Sequence, residues 1–294
     1  MHDISFKRPT WKATLEKYKF LPLPVAHDAL TARLIERAGF KAYQIGGFAL
    51  AATLHAVPDI DLEQYGEIVD MVENIMPASK LPVLVDTDDG YGDTKNVTRT
   101  VQGYQFLGAS AIFMEDQVAP KKCGHMADKS VVPVEEMVKK VKAAVAAKTN
   151  PDFFILARTD AIAPNGLDDA LMRGEQYLKA GADGVYFEGP NSEEELEKIG
   201  KAFKGVPLAT SVLERGGKTP ALKHKEFQRL GYSMVLYPST VIFQVAYTIQ
   251  RALKGMLEDQ PAPPRQSLDM GEFEQVLDLD YWKQIQDGFN SDEQ

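Results

Sequence analysis

The chain has 294 residues, 44% of them hydrophobic and 26% charged, with a formal net charge of −9. That balance supports a sizeable core in one large domain and excludes a disordered chain. The acid excess argues against a nucleic-acid partner, whose binding rests on Lys and Arg displacing counterions, but not against an anionic small molecule held by a few local cations and a metal.

A single cysteine, Cys123, leaves no intrachain disulfide to form. Residues 1–9 lack the apolar segment of a signal peptide, and no run approaches the roughly 20 apolar residues that span a bilayer. The expectation is a soluble, cytoplasmic protein without a membrane partner.

Short apolar runs recur along the chain, each followed by glycine or polar residues and then a longer amphipathic stretch, the pattern of repeated βα units. Strands are expected at 22–26, 42–45, 82–85, 111–114, 154–157, 184–187, 207–209 and 234–237, and helices at 30–38, 97–108, 133–147, 167–180 and 192–203. Eight strands point to a (β/α)8 TIM-type barrel. A doubly wound open sheet gives similar alternation, but its nucleotide-binding forms carry an early glycine-rich loop, and Gly46-Gly47 is too short for one. The division expected is a catalytic barrel over 1–257, then 258–294 as a linker and helical extension. Pro261, Pro263 and Pro264 mark the linker; Phe273, Val276, Leu277, Tyr281 and Trp282 give the extension an apolar face for the barrel or a neighbouring subunit.

Barrel active sites form where strands end, so the residues after each run are the informative ones. Gly46 and Gly47 follow the second strand, Asp86 and Asp88 the third, Glu115 and Asp116 the fourth, Arg158 and Asp160 the fifth, and Glu188 the sixth. The carboxylates of Asp86, Asp88 and Glu115 suit Mg²⁺ or Mn²⁺ better than zinc; the alternative is an acidic turn solvated at the rim. In Lys121-Lys122-Cys123-Gly124-His125, two cations and a histidine beside a thiol favour thiolate chemistry in a loop, whereas many lone cysteines only fill cores. His27 and His55 read as structural, Ile68, Met71, Val72 and Ile75 as helix core, and 193–197 as a solvated acidic helix start.

From about Leu21 to Tyr237 the sequence resembles the isocitrate lyase/phosphoenolpyruvate mutase superfamily. The resemblance is carried by Asp86-Thr87-Asp88-Asp89-Gly90-Tyr91-Gly92, Phe113-Met114-Glu115-Asp116-Gln117, Lys121-Lys122-Cys123-Gly124-His125 and Ala157-Arg158-Thr159-Asp160-Ala161. It implies a barrel in a homotetramer that exchanges its last barrel helix between paired subunits. It also implies Mg²⁺ at Asp86, Asp88 and Glu115, partly through water, with Asp59 nearby, and a gate loop over Lys121–His125. The Cys-Gly-His loop resembles the lyase branch, which includes 2,3-dimethylmalate lyase, 2-methylisocitrate lyase, oxaloacetate hydrolase and petal death protein. The implied reaction is carbon–carbon cleavage of a small 2-hydroxy or 2-oxo dicarboxylic acid, with an enolate-like fragment protonated by Cys123. Lys121 and His125 would orient the loop, and Gly124 would contact substrate with Gly46, Gly47 and Arg158. Arg158 would also stabilise the 2-oxygen and pair with Glu188; Tyr43 would receive the hydroxyl proton. Carbon–phosphorus chemistry of the carboxyphosphonoenolpyruvate mutase or phosphonopyruvate type is the alternative, and a non-catalytic metabolite binder the reading of another class. Two positions depart from the family pattern. Ile45 replaces a serine expected to hold a substrate carboxylate, and Ser211 stands where an asparagine is common.

Overall fold

The strands form because Val-, Ile- and Leu-rich runs can be buried on both faces, as parallel strands wrapped by helices require. In a computed structural model, which describes residues 7–124, 126, 128–260 and 266–290, they are β1 (Leu21–Pro24), β2 (Tyr43–Ile45), β3 (Val83–Asp86), β4 (Ala111–Glu115), β5 (Phe154–Thr159), β6 (Gly184–Phe187), β7 (Leu208–Ser211) and β8 (Met234–Tyr237). All pair in parallel, in the order β1-β8-β7-β6-β5-β4-β3-β2. A bridge between Val25 and Gln44 joins the ends of β1 and β2, so the sheet is a nearly closed barrel. β6 and β8 match the expected ranges; the others shift by a residue or two where a polar residue still pairs, as Asp86, Glu115 and Thr159 do.

Side-chain alternation sorts the core into two layers. Leu23, Leu84, Phe113, Leu156, Tyr186 and Leu236 fill the interior with Trp11. Tyr43, Ile45, Val85, Ile112 and Ile155 face the surrounding helices, as do Val185, Phe187 and Val235. Those helices include Ala29–Arg37, Thr94–Phe106, Val134–Ala146, Leu167–Lys179 and Glu193–Ala202. Their starts are chemically fixed: Asp28 accepts from the Thr31 amide at 2.6 Å and Asp93 from the Lys95 amide at 2.9 Å. At the turn after β3, Gly90 has φ +91°, and a Cβ there would lie 2.5 Å from Val97 and 2.9 Å from Met114. Only glycine fits.

Two compact units are distinguished, Met1–Ile242 and Phe243–Gln294. The division falls inside the helix Thr240–Leu257, upstream of the proline-rich segment, of which 261–265 lie outside the described residues. That helix has no buried residue. The second unit also contains helices Met270–Val276 and Leu279–Asn290. Among the described residues no helix is long and apolar enough to cross a membrane.

Candidate active site

Acidic side chains gather at the C-terminal ends of β3 and β4 because the strand backbones deliver them there in register. Asp86 ends β3; its carboxylate accepts the amides of Gly47 at 3.1 Å and Asp88 at 3.0 Å. Asp88 is held in the left-handed region at φ +46°, and its carbonyl accepts the Glu115 amide at 2.8 Å. Burial, reinforced by Asp88, pushes the Asp86 carboxyl up to about 7, although Lys121 and Arg158 pull the other way. Burial likewise raises Glu115 well above the carboxylate range against the pull of Arg158. One Glu115 oxygen lies 3.1 Å from Arg158, while the other is buried without a hydrogen-bond donor.

Lys121 reaches into this acidic group from the segment after β4. Its ammonium pairs with Asp59 and lies 2.6 Å from Asp88, and only 5% of the residue is exposed. Burial opposes its charge, but Asp88, Asp59, Glu115 and Asp86 outweigh burial and hold its pKa well above the ordinary value. Gly47 borders the same group: a Cβ there would lie 3.4 Å from Asp88 and 3.6 Å from both Asp86 and Lys121. Gly46 precedes it as the cap of the helix Gly47–Leu54.

Arg158, from β5, forms the second half of the site. Its guanidinium donates twice to Asp160, at 2.8 and 3.0 Å, and lies 3.7 Å from Glu188 and 5.1 Å from the Tyr186 ring centre. Glu188 in turn accepts the Tyr186 hydroxyl and, at 2.8 Å, the Ser211 hydroxyl. Asp116, one residue after β4, faces away from these groups. It accepts Thr159 Oγ1 and the Asp160 amide at 2.8 Å and Tyr177 Oη at 2.6 Å, with Arg173 at 3.3 Å, and so fixes the backbone that aims Asp160.

Cys123 is half-buried, and its amide donates to the Asp59 carbonyl at 3.1 Å. The next residue seats the segment on Arg158, because a Cβ at Gly124 would lie 2.4 Å from the guanidinium and 2.7 Å from Glu188. The structure therefore brings together Asp59, Asp86, Asp88, Glu115, Lys121, Arg158, Glu188 and the Cys123-Gly124 backbone. His125 lies outside the described residues.

Tyr43 is not brought there. It opens β2 in the outer layer, its hydroxyl is buried without a partner, and the charges that act on it are Arg8 and Glu36. Strand alternation puts Ile45 in the same outer layer, leaving the backbone of Gly46 and Gly47 at this corner. Sequence reasoning also assigned no role to Tyr186, which donates to Glu188, or to Gln117 and Lys129, which contact Asp160. Tyr186 was within reach, two residues before Glu188 on the same strand face; Lys129 had no local signal.

Among the described residues, no group of three His, Cys, Asp or Glu side chains is spaced to ligate a metal directly. The donor chemistry nevertheless fits a hard cation that keeps several waters, because the site has excess buried carboxylate and a Glu115 oxygen without a donor. Asp86, Asp88 and Glu115 are the residues that would hold it.

Residues 12–257 match the phosphoenolpyruvate phosphomutase family. The chain belongs to it. Within this family, the chain is 44% identical over 229 residues to 2,3-dimethylmalate lyase of Eubacterium barkeri, covering 78% of each chain. It is 38% identical over 238 residues to 2-methylisocitrate lyase of Bacillus subtilis (strain 168), covering 81% of this chain and 77% of that one. Oxaloacetate acetylhydrolase in complex with 3,3-difluorooxalacetate superposes with TM-score 0.89 at 27% identity, covering 95% of each chain. A 2,3-dimethylmalate lyase described as a PEP mutase/isocitrate lyase superfamily member superposes with TM-score 0.86 at 28% identity, covering 93% of this chain and 92% of that one. The chain is thus an enzyme of the phosphoenolpyruvate mutase/isocitrate lyase superfamily, a carbon–carbon lyase.

Proposed function

We propose that the chain cleaves the carbon–carbon bond beside the hydroxyl-bearing carbon of a small 2-hydroxy acid with two or three carboxylates, such as 2,3-dimethylmalate or 2-methylisocitrate, with Mg²⁺ bound at Asp86, Asp88 and Glu115. The observation that carries this reading is the seating of the Cys123-Gly124 backbone against Arg158 and Glu188, beside the buried carboxylates, in a chain 44% identical to a 2,3-dimethylmalate lyase.

Arg158 orients a substrate oxygen anion and stabilises the carbonyl that forms from the 2-hydroxyl. Glu188, held by Tyr186 and Ser211, is the carboxylate placed beside Arg158 to accept the hydroxyl proton. As that proton leaves, the carbon–carbon bond breaks, one fragment becomes a 2-oxo acid, and the other keeps the electron pair as an enolate-like carboxylate. Cys123 then protonates that carbon, and Lys121, paired with Asp59 and Asp88, fixes the segment bearing the thiol. Mg²⁺ or Mn²⁺, when bound, supplies Lewis-acid polarisation of the substrate oxygens.

Oxaloacetate hydrolysis is the second reading, favoured by the TM-score of 0.89 to oxaloacetate acetylhydrolase. We further infer a homotetramer in which the helix Thr240–Leu257 packs on a second copy, since Phe243, Tyr247, Leu253 and Leu257 on it are exposed. We also propose a cytoplasmic location, a reading the single cysteine supports.

The deciding experiment measures 2-oxo-acid release from 2,3-dimethylmalate and 2-methylisocitrate, oxalate and acetate release from oxaloacetate, and phosphate release from phosphonopyruvate, with and without Mg²⁺. Metal-dependent pyruvate from a hydroxy diacid supports the lyase reading. Oxalate and acetate from oxaloacetate alone would select the second reading, and phosphate release alone would sink both.

A further inference from the structure

We infer that Lys129 is a positioning residue that clasps the Cys123-Gly124 segment onto strand β5 through Asp160. The inference rests on the lyase reading only for its catalytic consequence; the clasp itself is a property of the fold.

The Lys129 side chain is 2% exposed, and its ammonium lies 2.6 Å from an Asp160 oxygen while also donating to the Gly124 carbonyl. A lysine is almost never buried this far unless its charge and donors are used. Here one ammonium joins two pieces of chain with different tasks: the backbone next to the thiol and the carboxylate that orients Arg158. Asp160 is the common anchor, because both of its oxygens accept from Arg158 and its backbone is set by Asp116. Gln117 adds a parallel tie. Its side-chain amide donates to the Lys122 carbonyl at 2.8 Å and to Asp160 at 3.3 Å, and its oxygen accepts the Lys122 amide at 3.1 Å. The segment is thus gripped on both sides of Cys123, and Gly124 is pressed where no Cβ fits.

Released from Asp160, Gly124 is no longer held against Arg158, and the thiol loses its register over the substrate carbon. The effect belongs to kcat, because Arg158 and the carboxylates that would hold Mg²⁺ stay in place.

Cys123 is the only cysteine, so thiol alkylation reports on the clasp without any substrate. In Lys129→Met, both ammonium contacts, to Asp160 and to the Gly124 carbonyl, are lost, and alkylation by a neutral maleimide is expected to accelerate about ten-fold. Turnover of the cleaved diacid falls by a similar factor at nearly unchanged KM, and Lys129→Arg restores most of both. Gln117→Ala, which leaves the buried charges intact, produces the same two changes at smaller size and covers the case in which Lys129→Met does not fold. Wild-type alkylation rates in folded Lys129→Met, or in Gln117→Ala if the first variant fails to fold, would overturn the clasp. If no diacid is cleaved by the wild type, the lyase reading fails while the alkylation result still decides the clasp.

Discussion

The two rims of the barrel solve the same problem, an acid held near basic groups, with opposite results. Asp183, just before β6, accepts the ammonium groups of Lys12 and Lys148 at 2.8 Å and the Ile155 amide at 2.9 Å. Burial alone would raise its carboxyl, but these donors outweigh it and hold it below the ordinary value. At the other rim Asp86 and Glu115 are driven upward, because burial there exceeds what Lys121 and Arg158 return. One rim is a satisfied joint between elements, and the other keeps acceptor capacity for something still to bind. This is the division expected of a barrel whose chemistry sits at its strand C-termini.

The sharpest way to break this contrast is at Arg158. Arg158→Met strands Glu115, whose other oxygen has no donor, and removes the cation beside Glu188; it costs about 3–5 kcal/mol of stability and removes turnover by at least about 10²–10³-fold. Denaturant unfolding and steady-state kinetics check both, and a stable, active variant would refute the role assigned to it. Next comes Cys123→Ser, expected to lose about 10²–10⁴-fold in kcat while melting at the wild-type temperature, because the side chain is only half-buried. Chelation with EDTA should silence product release in the wild type, and added Mg²⁺ or Mn²⁺ should restore it; turnover in the chelated protein would remove the metal from the proposal.

Smaller effects test the satisfied rim. Because the Asp183 pKa is lowered in the folded state, its contribution is fully present above the unfolded value of about 3.9 and is lost as pH falls through the folded value. Asp183→Asn should therefore be less stable than wild type by about 1–2 kcal/mol near neutrality, with the two curves converging below roughly pH 4. A gap that stays constant into acid would show that the lowered carboxyl is not its source. Least of all, Tyr43→Phe should leave turnover unchanged and stability within about 1 kcal/mol, since it deletes a hydroxyl that has no partner. A large loss of kcat would return Tyr43 to the mechanism.

The barrel was legible because its period was. Runs such as those of β3 and β4, followed by polar residues and an amphipathic stretch, can satisfy their backbones and bury both faces in few other ways. The acidic end of the site was legible for the same reason, since Asp86, Glu115, Arg158 and Glu188 each lie at the end of a strand or just beyond it. What escaped depended on which way side chains point. Tyr43 and Ile45 lie on the outward parity of β2, whereas Tyr186 lies on the inward parity of β6. Lys129 escaped because its partners, Gly124 and Asp160, meet only after the chain has folded back on itself.

Ring closure also constrains how the chain can be made. Leu21 finds its partner Met234 only at the eighth strand, and β1 meets β2 just past its end, where Val25 bridges to Gln44. During synthesis one edge of the first strand therefore waits while roughly two hundred residues follow, carrying unpaired N–H and C=O groups that any passing strand could borrow. The last strand thus acts as the stopper of the vessel.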